Sequence, residues 1–346
     1  MSAALRRVLV ESWNRRGVLA FLLWPVSVLY GLFTAARNGL YKVQWLAVER
    51  VPVPVIVVGN VIVGGAGKTP VTMALVQHLT RHGLKAGVVS RGYGRDGTGC
   101  REVHHDSVAS EAGDEPLLIK RATDLPVFVA TARAQAARAL LAAYPDTDVL
   151  VCDDGLQHHA LYRDIEICVF DERGIGNGLL IPAGPLREAW PRSVDLVLCS
   201  GKPREVEGYV LQRSLASHAL RADGERIALE ELRGFKNRPE AQLWALAGIA
   251  RPEVFFAMLR AQGLPLARTL ALPDHADFEP PQWSSANGHT LVCTEKDAVK
   301  LWRHRPDAWA VPLMLEVEPA FWSAFDKLLQ FKTGAKLSSA HGHTTS

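Results

Sequence analysis

An apolar, β-branched run from Val53 to Val58 leads into a bend that ends Gly64-Gly65-Ala66-Gly67-Lys68-Thr69, and a helix-compatible segment follows from Pro70 to about His82. Strand, glycine loop and helix, in that order, are what a phosphate-binding loop requires. Gly64, Gly65 and Gly67, with Ala66 between them, let successive backbone N–H groups converge on phosphate oxygens at the positive end of the helix. Lys68 adds a point charge toward the β- and γ-phosphates, and the Thr69 hydroxyl is placed to ligate Mg²⁺. The strict pattern GxxxxGK[ST] would put a glycine five residues before Gly67, where this chain has Ile62. A glycine-rich hairpin turn would account for the glycines but leaves Lys68-Thr69 without a purpose. A nucleotide-phosphate site is the expectation.

Downstream, TDVLVCDDGLQHH (147–159) is a buried strand with no polar residue between Asp148 and the pair Asp153-Asp154. An apolar strand ending in aspartate, after a GKT loop, is the Walker B arrangement, in which a carboxylate reaches the metal held by the loop. LKAGVVSRGYGR (84–95) reads as another strand, ending in a turn that carries Ser90, Arg91 and Arg95. Open α/β sheets bind ligands at that edge, and a solvated turn fits the same residues. In SEAGDEPLLIKRA (110–122), Asp114 as a helix N-cap with Pro116 in the first turn is a sufficient structural reason for the residues. PVFVATARAQAARALLAAY (126–144) gives a strand and an alanine-rich helix with Thr131 as its N-cap. Arg133 in the first turn of that helix opposes its dipole and hints at an anionic partner.

Strands at 164–170 and 194–200 extend the alternation, which predicts an α/β fold with a doubly wound, mostly parallel sheet of the P-loop NTPase kind. The expected organisation is an N-terminal helical segment over 1–45, a nucleotide-binding α/β domain over 46–201 and a polar linker over 202–239. A smaller α/β domain over 240–331 and a disordered tail over 332–346 complete it. His275 and Glu295-Lys296-Asp297 fall on strand-end loops of the smaller domain, where they can face the first. At 346 residues, 48% hydrophobic and 22% charged, the chain is long enough for two cores and too apolar for wholesale disorder. A net charge of +3, with no arginine–aromatic interleaving and no zinc-ligand spacing, gives no case for nucleic acid. Five scattered cysteines without a CxxC pair read as buried free thiols in a reducing compartment.

From Gly17 to Ala36 no residue is charged, and arginines flank the run on both sides. About 20 helical residues at ~1.5 Å each reach ~30 Å, enough to span a bilayer. Pro25, Ser27, Gly31 and Thr34 interrupt the run, and flanking charge sets no orientation. A signal peptide fits poorly before an ATP-type loop. An interfacial helix with its basic residues at anionic headgroups is the preferred reading over a spanning or a buried core helix.

Taken in order, VGGAGKTP, SRGYGR, GDEP, DDGLQHH, IPAGPLRE, PDHADF and TEKDAVK resemble the landmarks of the bacterial tetraacyldisaccharide 4'-kinases, and the resemblance runs from the apolar helix to about Phe331. That family also lacks the first Walker glycine. The resemblance implies transfer of the ATP γ-phosphate to the 4'-hydroxyl of a tetraacyldisaccharide 1-phosphate, giving lipid IVA at the cytoplasmic face of the inner membrane. It implies that Lys68 and Thr69 hold phosphates and Mg²⁺, with Asp153 and Asp154 completing the metal site. Asp114 would be the base toward the sugar hydroxyl, paired with His275. Glu115 and His158 would support that site, and Arg133 would meet phosphate or substrate charge; Ser90 and Arg91, at their strand end, are expected as substrate or supporting residues. His159 receives no role. The alternative from the residues is a membrane-associated P-loop ATPase switch of the partitioning or targeting kind. Such proteins place a lysine at the start of the loop, where this chain has Val63, and have no use for DDGLQHH or PAGPLRE. Oligomeric state and acyl-chain preference are not written in the sequence.

Overall fold

The computed structural model describes residues 9–201, 203, 205–234, 242–274, 276–286 and 288–334. Two sheets organise it. The larger has nine strands: β1 (Val55–Gly59), β2 (Ala86–Ser90), β3 (Arg101–Glu102), β4 (Val127–Val129), β5 (Val149–Asp153), β6 (Ile165–Phe170), β7 (Leu196–Ser200), β8 (Tyr209–Leu215) and, from far along the chain, β15 (Leu313–Val317). Their spatial order is β15-β8-β7-β6-β1-β5-β2-β4-β3. The seven strands from β8 to β4 run parallel, and antiparallel β15 and β3 close the two edges.

Both faces of this sheet are covered, which is why β1 and β5 are buried at every position and read as unbroken apolar runs. Side chains alternate across β1. Ile56 and Val58 enter one core layer, with Leu75 and Val71 of helix α2 (Lys68–Arg81) and Leu117 of α3 (Asp114–Thr123); helix α1 is Val18–Lys42. Val55 and Val57 enter the other, with Ala136 and Leu140 of α4 (Arg133–Ala143). This is the doubly wound sheet that the alternation predicted.

The smaller sheet has the order β10-β9-β14-β13-β11-β12, from β9 (His218–Leu220), β10 (Arg226–Ala228), β11 (Leu243–Ala247), β12 (Leu266–Ala271), β13 (Thr290–Thr294) and β14 (Trp309–Val311). Its helices α5 (Pro252–Ala261) and α6 (Glu295–Leu301) follow β11 and β13.

The connection between the sheets differs from the expected linker. Residues 205–234 carry β8, β9 and β10, so the stretch is structural rather than polar slack. β8 and β15 belong to the large sheet, whereas β9 and β14, their immediate neighbours in sequence, belong to the small one. Ala216 N–H donates to Pro312 O at 2.9 Å where the two strands cross together. The last helix, α7 (Pro319–Thr333), also returns to the large sheet, burying Phe321, Phe325 and Leu329 in its core. Helix α7 runs to Thr333, so residues 332 and 333 are helical rather than tail, and residues 335–346 lie outside the described residues.

Helix α1 is 25 residues long and contains Pro25. Its polar side is tied down: Ser27 Oγ donates to Leu180 O at 2.9 Å and accepts from Ala183 N–H at 2.9 Å, and Tyr30 Oη donates to Arg187 O at 2.9 Å. Its other side exposes Phe21, Leu22, Leu29, Leu32 and Phe33, each at least 64% accessible. A wholly buried core helix is therefore excluded. The length and apolarity suffice to cross a membrane.

Candidate active site

The carboxyl ends of β1, β2 and β5 meet at one edge, where α2 begins. The phosphate loop needs backbone that only glycine adopts easily. Gly67 sits at φ +82° as the cap of α2, and a Cβ there would lie 2.3 Å from Arg213 Nη2. The loop's outer carbonyls are held by guanidinium groups: Arg213 of β8 donates to Ala66 O, and Arg173 Nη1 donates to Val63 O at 3.3 Å. Arg173 is itself fixed by a two-point contact from Nε to the fully buried Asp171, at 3.0 and 2.9 Å.

Lys68 and Thr69, both buried, open the helix. Lys68 Nζ lies 3.7 Å from Asp154 Oδ1. The Thr69 hydroxyl points to Asp153 Oδ2 at 3.4 Å, and Thr72 Oγ1 donates to Asp153 Oδ1 at 2.8 Å. Burial pushes the Asp153 carboxyl up to about 7, and the neighbouring Glu115 and Asp154 charges add to it. For Asp154, burial works in the same direction, but Lys68, Arg187 and Arg133 outweigh it and hold the carboxyl below its usual value. Asp153 makes no ion pair with a lysine or arginine among the described residues, and its neighbours are hydroxyls and carboxylates. That set of hard oxygen donors fits Mg²⁺.

Asp114 and Glu115 begin α3. The expected N-cap role of Asp114 is not the observed one: Gly113, at φ +90°, occupies the cap, and Asp114 is the first helical residue. A Cβ at Gly113 would sit 3.0 Å from the Gly92 Cα, so the crossing of two loops reserves that position for glycine. Asp114 is thereby buried and meets Lys300 Nζ at 3.0 Å. Lys296, one turn earlier on α6, reaches Glu115 at 3.5 Å and Asp274 at 3.6 Å. The TEKDAVK segment thus faces the first sheet through its two lysines, while Asp297 turns inward, accepting from Gly248 N–H at 3.0 Å and Thr294 Oγ1 at 2.7 Å. Burial raises the Asp297 carboxyl to about 6, against the lowering effect of those two hydrogen bonds. His275 lies outside the described residues; of its neighbours, Asp274 meets Lys296 and Ala276 O accepts from Lys300 at 3.0 Å.

Arg133 is buried at the start of α4, and Thr131 is not its cap: Ala132 is. Its Nη2 donates to Asp154 O at 3.0 Å, and its Nε is buried without a partner among the described residues. His158 Nε2 accepts the Arg133 N–H at 3.2 Å. Burial, aided by Arg133 and Arg163, lowers His158 to about 4, so the ring is neutral and able to accept. Ser90 is buried at the last position of β2, level with Val129 of β4, and the next residue, Arg91, is exposed. His159 packs near Tyr41, with ring centroids 5.6 Å apart.

Lys68, Thr69, Asp153, Asp154, Arg133 and His158 are therefore in one connected cluster, and Asp114 and Glu115 enter it beside the α6 lysines. Sequence reasoning did not single out Arg187, Lys300, Arg173 or Arg213. Arg187 Nη1 lies 3.5 Å from Asp154 Oδ1. The i, i+4 spacing of Lys296 and Lys300 on one helical face was a usable signal. Arg213 left none, because β8 reaches the loop only through the sheet topology.

A sequence model described as tetraacyldisaccharide-1-P 4'-kinase matches residues 19–330. The chain is 57% identical over 334 residues to the tetraacyldisaccharide 4'-kinase of Acidovorax sp. (strain JS42), covering 96% of this chain and 95% of that one. It is 55% identical over 350 residues to the enzyme of that name from Polaromonas naphthalenivorans (strain CJ2), covering 99% and 100%. A crystal structure of LpxK from Aquifex aeolicus in complex with ATP superposes with a TM-score of 0.77 at 28% identity, covering 91% of this chain and all of that one. Matched by that family's model over residues 19–330 and 57% identical to one of its members over nearly its whole length, the chain belongs to the tetraacyldisaccharide 4'-kinase family.

Proposed function

We infer that this chain transfers the γ-phosphate of ATP to the 4'-hydroxyl of a tetraacyldisaccharide 1-phosphate, forming lipid IVA in lipid A biosynthesis. The observation that carries this reading is the convergence, at one edge of the large sheet, of Lys68-Thr69, Asp153-Asp154 and the Asp114-Glu115 pair. Phosphoryl transfer asks for charge neutralisation and alignment more than for covalent chemistry. Backbone N–H groups of 64–67 and the Lys68 ammonium are placed to hold the triphosphate. Thr69, Asp153 and Asp154 would hold Mg²⁺, which when bound neutralises charge on the phosphates. Asp114 accepts the proton of the attacking hydroxyl, and Lys300, 3.0 Å from its carboxylate, holds it in place. His275 is proposed to share that proton; its flanking residues contact the lysines that hold Asp114 and Glu115. Arg133 and Arg187, which bracket Asp154, are proposed to meet phosphate or substrate charge, with Glu115, His158, Ser90 and Arg91 as substrate-facing or supporting residues.

The proposed organisation is a phosphate-binding unit on the large sheet and a smaller unit on the other, joined by the double crossing of β8–β9 and β14–β15. Helix α1 is proposed to lie against the cytoplasmic face of the inner membrane, where an acylated substrate resides. The direct test is transfer of ³²P from γ-labelled ATP to a tetraacyldisaccharide 1-phosphate in mixed micelles. Labelled lipid is the expected product; ATP hydrolysis without labelled lipid would sink the kinase assignment.

The membrane reading makes a separate prediction. Leu29→Glu with Leu32→Glu places charge on the exposed face of α1, away from the Ser27 and Tyr30 contacts. The double variant is expected to raise the apparent KM for lipid by about tenfold or more, leaving the KM for ATP within about twofold, because only interfacial attachment is weakened. Equal changes in both constants would assign α1 a folding role instead.

A further inference from the structure

The far end of α2, about 20 Å from the phosphate loop at ~1.5 Å per residue, carries a group of side chains that phosphoryl transfer does not use. His78 lies in the last turn of α2 and His82 is its C-cap residue. The spacing i, i+4 stacks the two imidazoles on one face, with ring centroids 4.2 Å apart. Asp326 of α7 reaches across to the same point, its Oδ1 2.8 Å from His78 Nε2. One donor atom from each of the three residues lies within 4.8 Å of the other two.

From this geometry we propose that His78, His82 and Asp326 form a binding site for a divalent transition-metal ion of the zinc class, stapling the phosphate-loop helix to the C-terminal helix.

Several features favour a metal site over a lone histidine–aspartate hydrogen bond. The His82 Nδ1–H donates to the His78 carbonyl at 2.8 Å, which fixes the ring and leaves Nε2 as its ligand atom. An outer hydrogen bond of this sort is what ligating histidines have. Two imidazoles and one carboxylate, with a fourth position open to water, are a zinc donor set. The site stands at a helix C-terminus, where the negative end of the helix dipole favours positive charge. Trp322 stacks on His78 at 4.2 Å and Phe325 meets its edge at 6.0 Å, giving the inner side of the site an apolar wall. The bond that forms at His78 is metal to the Nε2 lone pair, and the ring stays neutral with its one proton on Nδ1.

The test uses the full chain, stripped with chelator and titrated in detergent with Co²⁺ and Zn²⁺ chloride. Co²⁺ should give the visible absorption of a four-coordinate ion at one equivalent. Zn²⁺ at a hundredfold excess over its Kd should raise Tm by about 3 °C or more. His82→Gln and Asp326→Asn should each weaken Co²⁺ binding at least about 10–100-fold, the cost of losing even an outer-shell partner. Both should keep the kinase turnover of the metal-stripped parent. No Co²⁺ band in the parent protein, or a band and a Tm rise that survive both substitutions, would overturn the assignment. Should either variant fail to fold, the other together with the parent spectrum still decides it.

Discussion

Asp114→Asn is expected to lower kcat by about 10²–10⁴-fold, the range for losing a positioned general base, with the KM for ATP little changed. The substitution is close to isosteric and keeps an oxygen within reach of Lys300, so α3 and its cap at Gly113 are left in place. What it removes is the capacity to take a proton. A kcat loss below tenfold, measured by label transfer under saturating substrates, would show that the hydroxyl proton goes elsewhere. A fall in Tm that accounts for the loss would instead mark Asp114 as structural, and circular dichroism melts run beside the assay separate the two outcomes.

Lys68→Ala is expected to cost about 10²–10³-fold in kcat/KM for ATP, comparable to removing one preorganised charge-stabilising donor from a transition state. Two effects combine. The triphosphate loses its contact with the ammonium, and Asp154 loses the cation that does most to hold its carboxyl low. Lys68→Arg is not a rescue, since a planar fork cannot replace a compact point charge in a loop this tight. The KM for the lipid should move by no more than about twofold, because Lys68 belongs to the nucleotide side. An equal shift in both KM values would argue that the loop itself had collapsed, a possibility checked by retention of ADP binding.

Much of this site was legible from local pattern. β1 and β5 are buried on both faces, so they appear as unbroken β-branched runs, and the polar residues that end them stand out against that background. Asp114 is legible as a helix start, but the cap falls one residue earlier, at Gly113, because it is set by the close approach of Gly113 to Gly92, a tertiary constraint. The strands within residues 205–234 are hidden from local pattern for a related reason. β8, at the flank of the large sheet, has the mixed residues Tyr209-Val210-Leu211-Gln212-Arg213, and its partner β15 lies about a hundred residues away. Lys300 and Arg187 sit in recognisable motifs, yet their targets, Asp114 and Asp154, are supplied by other parts of the chain. Charge pairs of that kind have no sequence period to betray them.

The hydrogen bonds that tie α1 to the 177–187 loop have a geometric consequence. Tyr30 donates to the Arg187 carbonyl, and the Arg187 side chain ends at Asp154, which touches Lys68. Only three side chains therefore separate the apolar face of the first helix from Lys68. With α1 resting in the headgroup region as proposed, those three side chains work as a depth gauge. They fix how far above the hydrocarbon the reacting hydroxyl must stand, whatever the tails beneath it do.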